Sequence, residues 1–343
     1  MRLKELSAVL GLSPTTVSRA LNGYPDVSEE TRRRVFEAAR RHNYRPDARA
    51  RGLAMGRAKA IGHVIPTSTK HEMVNPVFAD FIAGAGETYA RAGYDMLLTV
   101  VGDDDETRHY RDLAATRRVD GIIVHGPRIS DPRVPLLRQL GLPFVVHGRV
   151  SAERAAYSWL DVDNRRAFFR ATEFLLDLGH RRIGLVNGLE SMDFALRRRK
   201  GFLGALAERQ VAAEPALMSS EEMTEPYGYR AARRMLALDA PPTAFLVASL
   251  ISALGVRRAI EERGLVMGRD VSVITHDDEL SYFSDPDAVP VFTATRSSVR
   301  EAGRLAAEML LEIVETPDCP PRERLLEAVL TVGRSTGPAP DQG

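Results

Sequence analysis

Cysteine is almost missing from this chain: Cys319 is the single one in 343 residues. One thiol forms no internal disulfide and builds no multi-thiolate zinc site, which points to a reducing compartment. Long hydrophobic runs are missing too, since no stretch reaches the roughly 18 apolar residues that a membrane-spanning helix needs. The first residues hold no apolar run followed by a small-residue cleavage site, so the expectation is a cytoplasmic protein with no membrane partner. Signatures of catalysis are also lacking. There is no Gly-x-Ser-x-Gly elbow, no His-Glu-x-x-His zinc pair and no Gly-x-x-x-x-Gly-Lys phosphate loop. Gly84-Ala-Gly86 runs on into Glu-Thr-Tyr without the third glycine of a dinucleotide fingerprint. An enzyme is not expected, and no cofactor or metal is implied.

What is present is the composition of a folded protein, 44% hydrophobic and 27% charged. The length predicts two or three domains. A net charge of +1 hides an asymmetry: residues 1–60 hold 13 Lys and Arg against 6 Asp and Glu, whereas the remainder holds 34 against 40. A small basic unit joined to a larger acidic one suits an anionic partner such as nucleic acid.

The basic end reads as three short helices. Leu3, Leu6, Val9 and Leu10 recur at helical spacing until Gly11 interrupts them. Ser13-Pro14 then opens a second helix, the serine as an N-cap and the proline where no amide donor is needed. It ends at Asn22-Gly23, with Val17, Ala20 and Leu21 on one side and Thr15, Thr16, Ser18 and Arg19 on or beside the other. Ser28 with Glu29 and Glu30 starts a third helix that ends near His42. A tight turn between two such helices is a helix-turn-helix, and the hydroxyls and arginine of the second suit a DNA major groove. After Pro46, residues 47–54 are long enough for one or two helical turns with Leu53 projecting. Such a piece is not stable alone. Leu53 is either a linker residue packed on its own chain or an apolar wedge for the DNA minor groove, in which case the short helix folds only on the DNA.

From Ala60 the texture changes to short apolar runs near 61–65, 96–101, 121–125, 144–147, 183–187, 244–248, 271–276 and 326–332, with helical patterns between most of them. That alternation predicts parallel sheets covered on both faces, in two lobes with a ligand cleft at the strands' carboxyl ends.

Leu10-Gly-Leu-Ser-Pro-Thr-Thr-Val-Ser-Arg-Ala-Leu-Asn22, Val27-Ser-Glu-Glu-Thr-Arg32, Asn43-Tyr-Arg-Pro46 and the stretch from Ala50 to Leu53 resemble the DNA-binding end of the lactose-repressor (LacI) family. Asn75-Pro76, Val119-Asp-Gly-Ile-Ile123, Leu178-Gly-His-Arg-Arg-Ile183, Arg198 with Gly201-Phe202, and Asp277-Asp278 resemble its effector domain, similar in fold to periplasmic sugar-binding proteins. The resemblance covers nearly the whole chain. It implies an all-α helix-turn-helix DNA-binding domain (1–45), a hinge helix and linker (46–59), a two-lobed periplasmic-binding-protein-like α/β domain with parallel sheets (60–335), and a tail (336–343).

It also implies roles. Pro14, Thr15 and Arg19 match base-reading positions, Thr16 and Asn22 belong to the same recognition motif, and Ala50 and Leu53 match minor-groove contacts of the hinge helix. In the effector domain, Arg198, Asp277, His125, Phe78 and Ser249 are the expected contacts, while His180 is expected to hold a turn. Leu250 stands where the family often carries Asp, so ligand identity does not transfer from other members. The partners implied are a palindromic operator DNA, a small-molecule effector, taken as a sugar, and a second copy of the chain; a tail without a leucine heptad predicts a dimer. The finer texture, Ser13-Pro-Thr-Thr-Val-Ser with Phe144-Val-Val-His-Gly-Arg149, looks most like repressors of α-glucoside uptake and breakdown. The alternatives are a nucleobase or sugar-phosphate effector acting as co-repressor, and a sugar-binding protein with no DNA function.

Overall fold

The computed structural model describes residues 1–44, 57–66, 75–102, 105–283 and 289–340. Ala50 and Leu53, on the expected hinge helix, lie outside them. The chain divides into two compact units, residues 1–59 with 117–120, and 60–116 with 121–343. Among the described residues, no helix is long and apolar enough to cross a membrane.

The first unit is built from α1 (Leu3–Leu10), α2 (Pro14–Leu21) and α3 (Glu29–Arg41). Gly11 closes α1 at φ +64°, a left-handed conformation that glycine adopts without a Cβ clash. Ser13 caps α2, its Oγ accepting from the Thr16 amide at 3.0 Å, and Ser28 caps α3 in the same way from Thr31. Leu6, Val17, Ala20, Val27, Val35 and Ala39 form the buried centre. A core of six small or medium side chains leaves the polar face of α2 outward.

The second unit holds two six-stranded sheets. Its strands are β1 (Ala60–Pro66), β2 (Asp95–Val101), β3 (Gly121–His125), β4 (Phe144–His147), β5 (Trp159–Val162), β6 (Ile183–Asn187), β7 (Met218–Ser220), β8 (Ala244–Val247), β9 (Ser272–Asp277), β10 (Thr293–Arg296), β11 (Glu323–Leu326) and β12 (Val329–Thr331). The first lobe has the order β11-β5-β4-β3-β1-β2 and the second β12-β10-β9-β8-β6-β7. All pairs are parallel except β10 with β12. Around them lie α4 (Pro76–Arg91), α5 (Glu106–Ala115), α6 (Arg133–Leu140), α7 (Asn164–Asp177), α8 (Asp193–Glu208), α9 (Glu225–Leu236), α10 (Leu250–Glu261) and α11 (Val299–Glu315). β3, β6 and β8 are buried along their whole length, which is why they read as continuous apolar runs.

One expected element divides. The run 326–332 does not make one strand, because the chain leaves the first sheet after Leu326 and enters the second at Val329. This is one of three crossings between lobes, the others following β5 and β10. Helix pairs pack at glycines: a Cβ on Gly201 of α8 would stand 2.1 Å from the Arg165 carbonyl oxygen of α7. His180 ties the second lobe together, its ring nitrogens 2.9 Å from Thr243 Oγ1 and Ser272 Oγ and 3.1 Å from the Gly337 carbonyl. The residues past 335 continue this contact, with the Ala339 amide donating to the Leu178 carbonyl at 2.8 Å.

Candidate functional site

The carboxyl ends of β3, β4, β5 and β9 bring His125, His147, Asp161 and Asp278 to one cavity of about 460 Å³ between the lobes. Ligand cavities commonly measure roughly 300–1,000 Å³. α4 contributes Phe78 and Phe81. Phe81 stacks on His147 with ring centres 4.3 Å apart, and Phe78 meets His125 edge-on at 5.1 Å. The second lobe contributes Phe194 and Arg198 from α8.

Arg198 is held rigidly. Its Nε donates to Asn164 Oδ1 at 2.7 Å and its Nη1 to the Ala248 carbonyl at 2.6 Å. The guanidinium also lies over the rings of Phe168 and Phe194, about 5 Å from each centre. Among the described residues Nη2 has no partner, so its two N–H groups are available to whatever fills the cavity. Burial pulls its pKa down to about 10, with Asp278 and Asp161 opposing the shift, and the group stays charged at neutral pH. The flanking cations are committed elsewhere, Arg197 to Asp193 and Arg199 to Glu190.

The acceptors are carboxylates. Burial pushes the Asp278 carboxyl up, but His276, with Nε2 3.5 Å away, and Arg198 outweigh it and hold the group below the usual range. Asp161 accepts from Arg149 Nε at 2.7 Å and from Asn164 Nδ2 at 3.3 Å, while burial raises its pKa. The histidines are neutral. Burial takes His63 to about 3 and His147 to about 4, and carries His125 well below its ordinary value with help from His63 and His147.

Of the residues expected from sequence, Phe78, His125 and Arg198 line the cavity, and Asp277 and Ser249 do not. Asp277 turns to Arg296, 3.3 Å away, and accepts from the Glu279 amide; the carboxylate at the cavity belongs to its neighbour Asp278. Ser249 caps α10, its Oγ accepting from the Ser252 amide at 3.1 Å, so its hydroxyl is spent locally. Phe81, His147, Asp161, Asn164 and Phe194 were not anticipated. His147 carried a readable signal, since it ends β4 directly opposite His125 on β3.

On α2 of the first unit, Pro14 and Thr15 are exposed and Thr16, Arg19 and Asn22 are partly so. Thr16 Oγ1 shares a hydrogen bond with Ser13 Oγ at 2.8 Å, and Asn22 Nδ2 reaches Ser18 Oγ at 3.5 Å. Arg19 extends over the Tyr24 ring, 4.6 Å from its centre, with Nη2 2.8 Å from Asp26 Oδ2. Among the described residues nothing bonds the Thr15 hydroxyl, and Arg19 is a guanidinium held loosely in an exposed pair.

Residues 3–47 match the family described as bacterial regulatory proteins, lacI family, and residues 172–336 match a periplasmic binding protein-like domain. The HTH-type transcriptional regulator AglR of Rhizobium meliloti is 44% identical over 100% of this chain and 96% of its own length. The HTH-type transcriptional regulator RafR of Escherichia coli is 34% identical over 92% of each. Among solved structures, the lac repressor dimer bound to operator and the anti-inducer ONPF has a TM-score of 0.84 at 24% identity, covering 98% of this chain and 99% of that one, a likeness of fold. The complex of the transcriptional regulator CelR with cellobiose has a TM-score of 0.72 at 26% identity, with the same coverage. A helix-turn-helix whose second helix leaves its polar face outward, a two-lobed α/β unit with a cavity between its lobes, and full-length kinship to transcriptional regulators agree: the chain belongs to the lacI family of bacterial regulatory proteins and is a DNA-binding transcriptional regulator, not an enzyme.

Proposed function

We propose that this regulator is a homodimeric repressor of sugar uptake and catabolism genes, released from a palindromic operator when a neutral saccharide of the α-glucoside class fills the cleft. The observation that carries the reading is the composition of that cleft. Arg198 offers fixed N–H donors, Asp278 an ionised acceptor, and Phe78, Phe81 and Phe194 apolar walls. A sugar needs this combination, since its hydroxyls both donate and accept while its ring faces are apolar. The charges favour a neutral ligand over a sugar phosphate, because Arg198, the one guanidinium lining the cavity among the described residues, is already faced by Asp278 and Asp161. The neutral disaccharide in the CelR complex supports a saccharide ligand, though cellobiose is a β-glucoside and bears on the ligand's neutrality rather than on its linkage.

On the DNA, Pro14, Thr15, Thr16, Arg19 and Asn22 meet the major groove, and Ala50 and Leu53 the minor groove. Two such units related by a dyad read the two halves of a palindrome. Release needs a ligand that binds the two arrangements of the lobes unequally, and a thousand-fold change in operator affinity needs about 4 kcal/mol of coupling. The three strand crossings are the hinges on which the lobes turn.

A thermal-shift screen of the purified chain against mono- and disaccharides, nucleobases and sugar phosphates tests the effector class, because a ligand of the folded state raises the melting point. A rise with neutral α-glucosides is expected. A rise confined to nucleobases or phosphates overturns the sugar reading. For the wedge, Leu53→Ala should weaken operator binding, and unchanged affinity would contradict it.

A further inference from the structure

We infer that Tyr89 and His63 are positioning residues of the cleft: together they fix His125 as the Nδ1–H tautomer, so that this ring donates a hydrogen bond to the effector. The inference rests on the reading of the cleft as the effector site. His125 and two side chains behind it, His63 and Tyr89, form a line into the core of the first lobe. His125 Nε2 lies 2.9 Å from His63 Nδ1, and His63 Nε2 lies 3.3 Å from the Tyr89 hydroxyl. The two imidazoles meet edge to edge, their planes 23° from parallel and their centres 5.1 Å apart, and the Tyr89 ring crosses His63 at 62°. His63 and Tyr89 are at most 1% exposed, so water does not replace these bonds.

Two proton arrangements fit this line. In one, the Tyr89 O–H donates to His63 Nε2, His63 Nδ1–H donates to His125 Nε2, and His125 carries its proton on Nδ1. In the other every donor is reversed, His125 Nδ1 is bare, and the Tyr89 proton has no acceptor, because among the described residues its hydroxyl meets only His63. Leaving a buried donor unpaired disfavours the second arrangement by about tenfold or more. Protonating a ring does not offer a third choice: burial holds His63 near 3 and His125 well below neutrality.

His125 Nδ1 has no partner among the described residues, and the ring lines the cavity. A ligand atom at this position must therefore accept. A hydroxyl, ring or glycosidic oxygen qualifies, whereas an ammonium group, which has no lone pair, is turned away. The line thus acts as a filter against protonated amino sugars in a cleft whose carboxylates would otherwise attract them.

Heteronuclear NMR of the full chain labelled with ¹⁵N-histidine at pH 7 reads the tautomer without any ligand, so it still decides if the effector reading fails. Expected are a protonated Nδ1 and an unprotonated Nε2 on His125, with the other tautomer below about a tenth. In Tyr89→Phe the hydroxyl proton is gone, and the minor tautomer should rise to a comparable population. A wild-type His125 protonated on Nε2 overturns the inference, as does a folded Tyr89→Phe protein whose tautomer ratio is unchanged.

Discussion

Acidification should destabilise this protein early, and the histidines of the first lobe set the size of the effect. His63 and His147 have ordinary values of 6.5 and are pulled by burial to about 3 and about 4. Below pH 6.5 the unfolded chain protonates both rings while the folded chain keeps them neutral, so unfolding takes up protons and stability falls with pH. Their contribution is fully present above pH 6.5 and is lost as pH drops toward 4 and then 3. Each ring approaches about 1.4 kcal/mol per pH unit once the unfolded ring is fully protonated, so the two together remove about 3 kcal/mol between pH 6.5 and 5. His125, His180 and His276 are lowered as well and act in the same direction. Against a typical total of about 5–15 kcal/mol, the loss should lower the melting temperature by roughly 10 °C. Calorimetry or circular dichroism at pH 7.5, 6.5, 5.5 and 5.0 measures it. His63→Asn should flatten the slope by about 1.4 kcal/mol per pH unit. A melting point constant to within two or three degrees, or an unchanged slope in that variant, would refute the argument.

Three further outcomes follow from the geometry. Arg198→Leu removes the Nη2 donors from the cleft and should weaken saccharide binding at least tenfold, since a hydrogen bond to a charged group contributes about 1.5–3 kcal/mol; calorimetric affinity within twofold of wild type would contradict this. Arg19→Ala should cost about 1–3 kcal/mol on the operator and relax the preference at one base pair, whereas a uniform loss across sequences would mark Arg19 as a phosphate contact. Gly201→Ala should destabilise the second unit by about 3 kcal/mol in a urea titration, because the new Cβ would overlap the Arg165 carbonyl.

Much of the fold was legible because buried parallel strands leave an unbroken apolar trace. The strands that escaped have physical reasons. β5 is four residues long and carries Asp161, tolerable inside only because Arg149 pairs with it. β10 is Thr-Ala-Thr-Arg, whose hydroxyls hide its burial: Thr293 and Thr295 are at most 1% exposed and bond to Thr336 and His276 on neighbouring segments. β11 and β12 read as one run because a crossing between lobes leaves no break in local hydrophobicity. In the cleft, Arg198 and His125 were legible through motif and strand end. The choice between Asp277 and Asp278 was not, because β9 ends there and the alternation of faces that would decide it ends with it. Ser249 has the residue type of a contact, yet the same hydroxyl is also what a helix start needs.

Control of a DNA-reading dimer by a neutral saccharide in the cleft is tested most directly by fluorescence anisotropy of the full chain on the palindrome it selects from a random DNA pool, at fixed salt, with and without maltose. Salt-dependent binding of one dimer per palindrome is expected, with a loss of affinity of tenfold or more at saturating maltose that is absent in Arg198→Leu. Operator affinity unmoved by maltose and by every other neutral α-glucoside would contradict it.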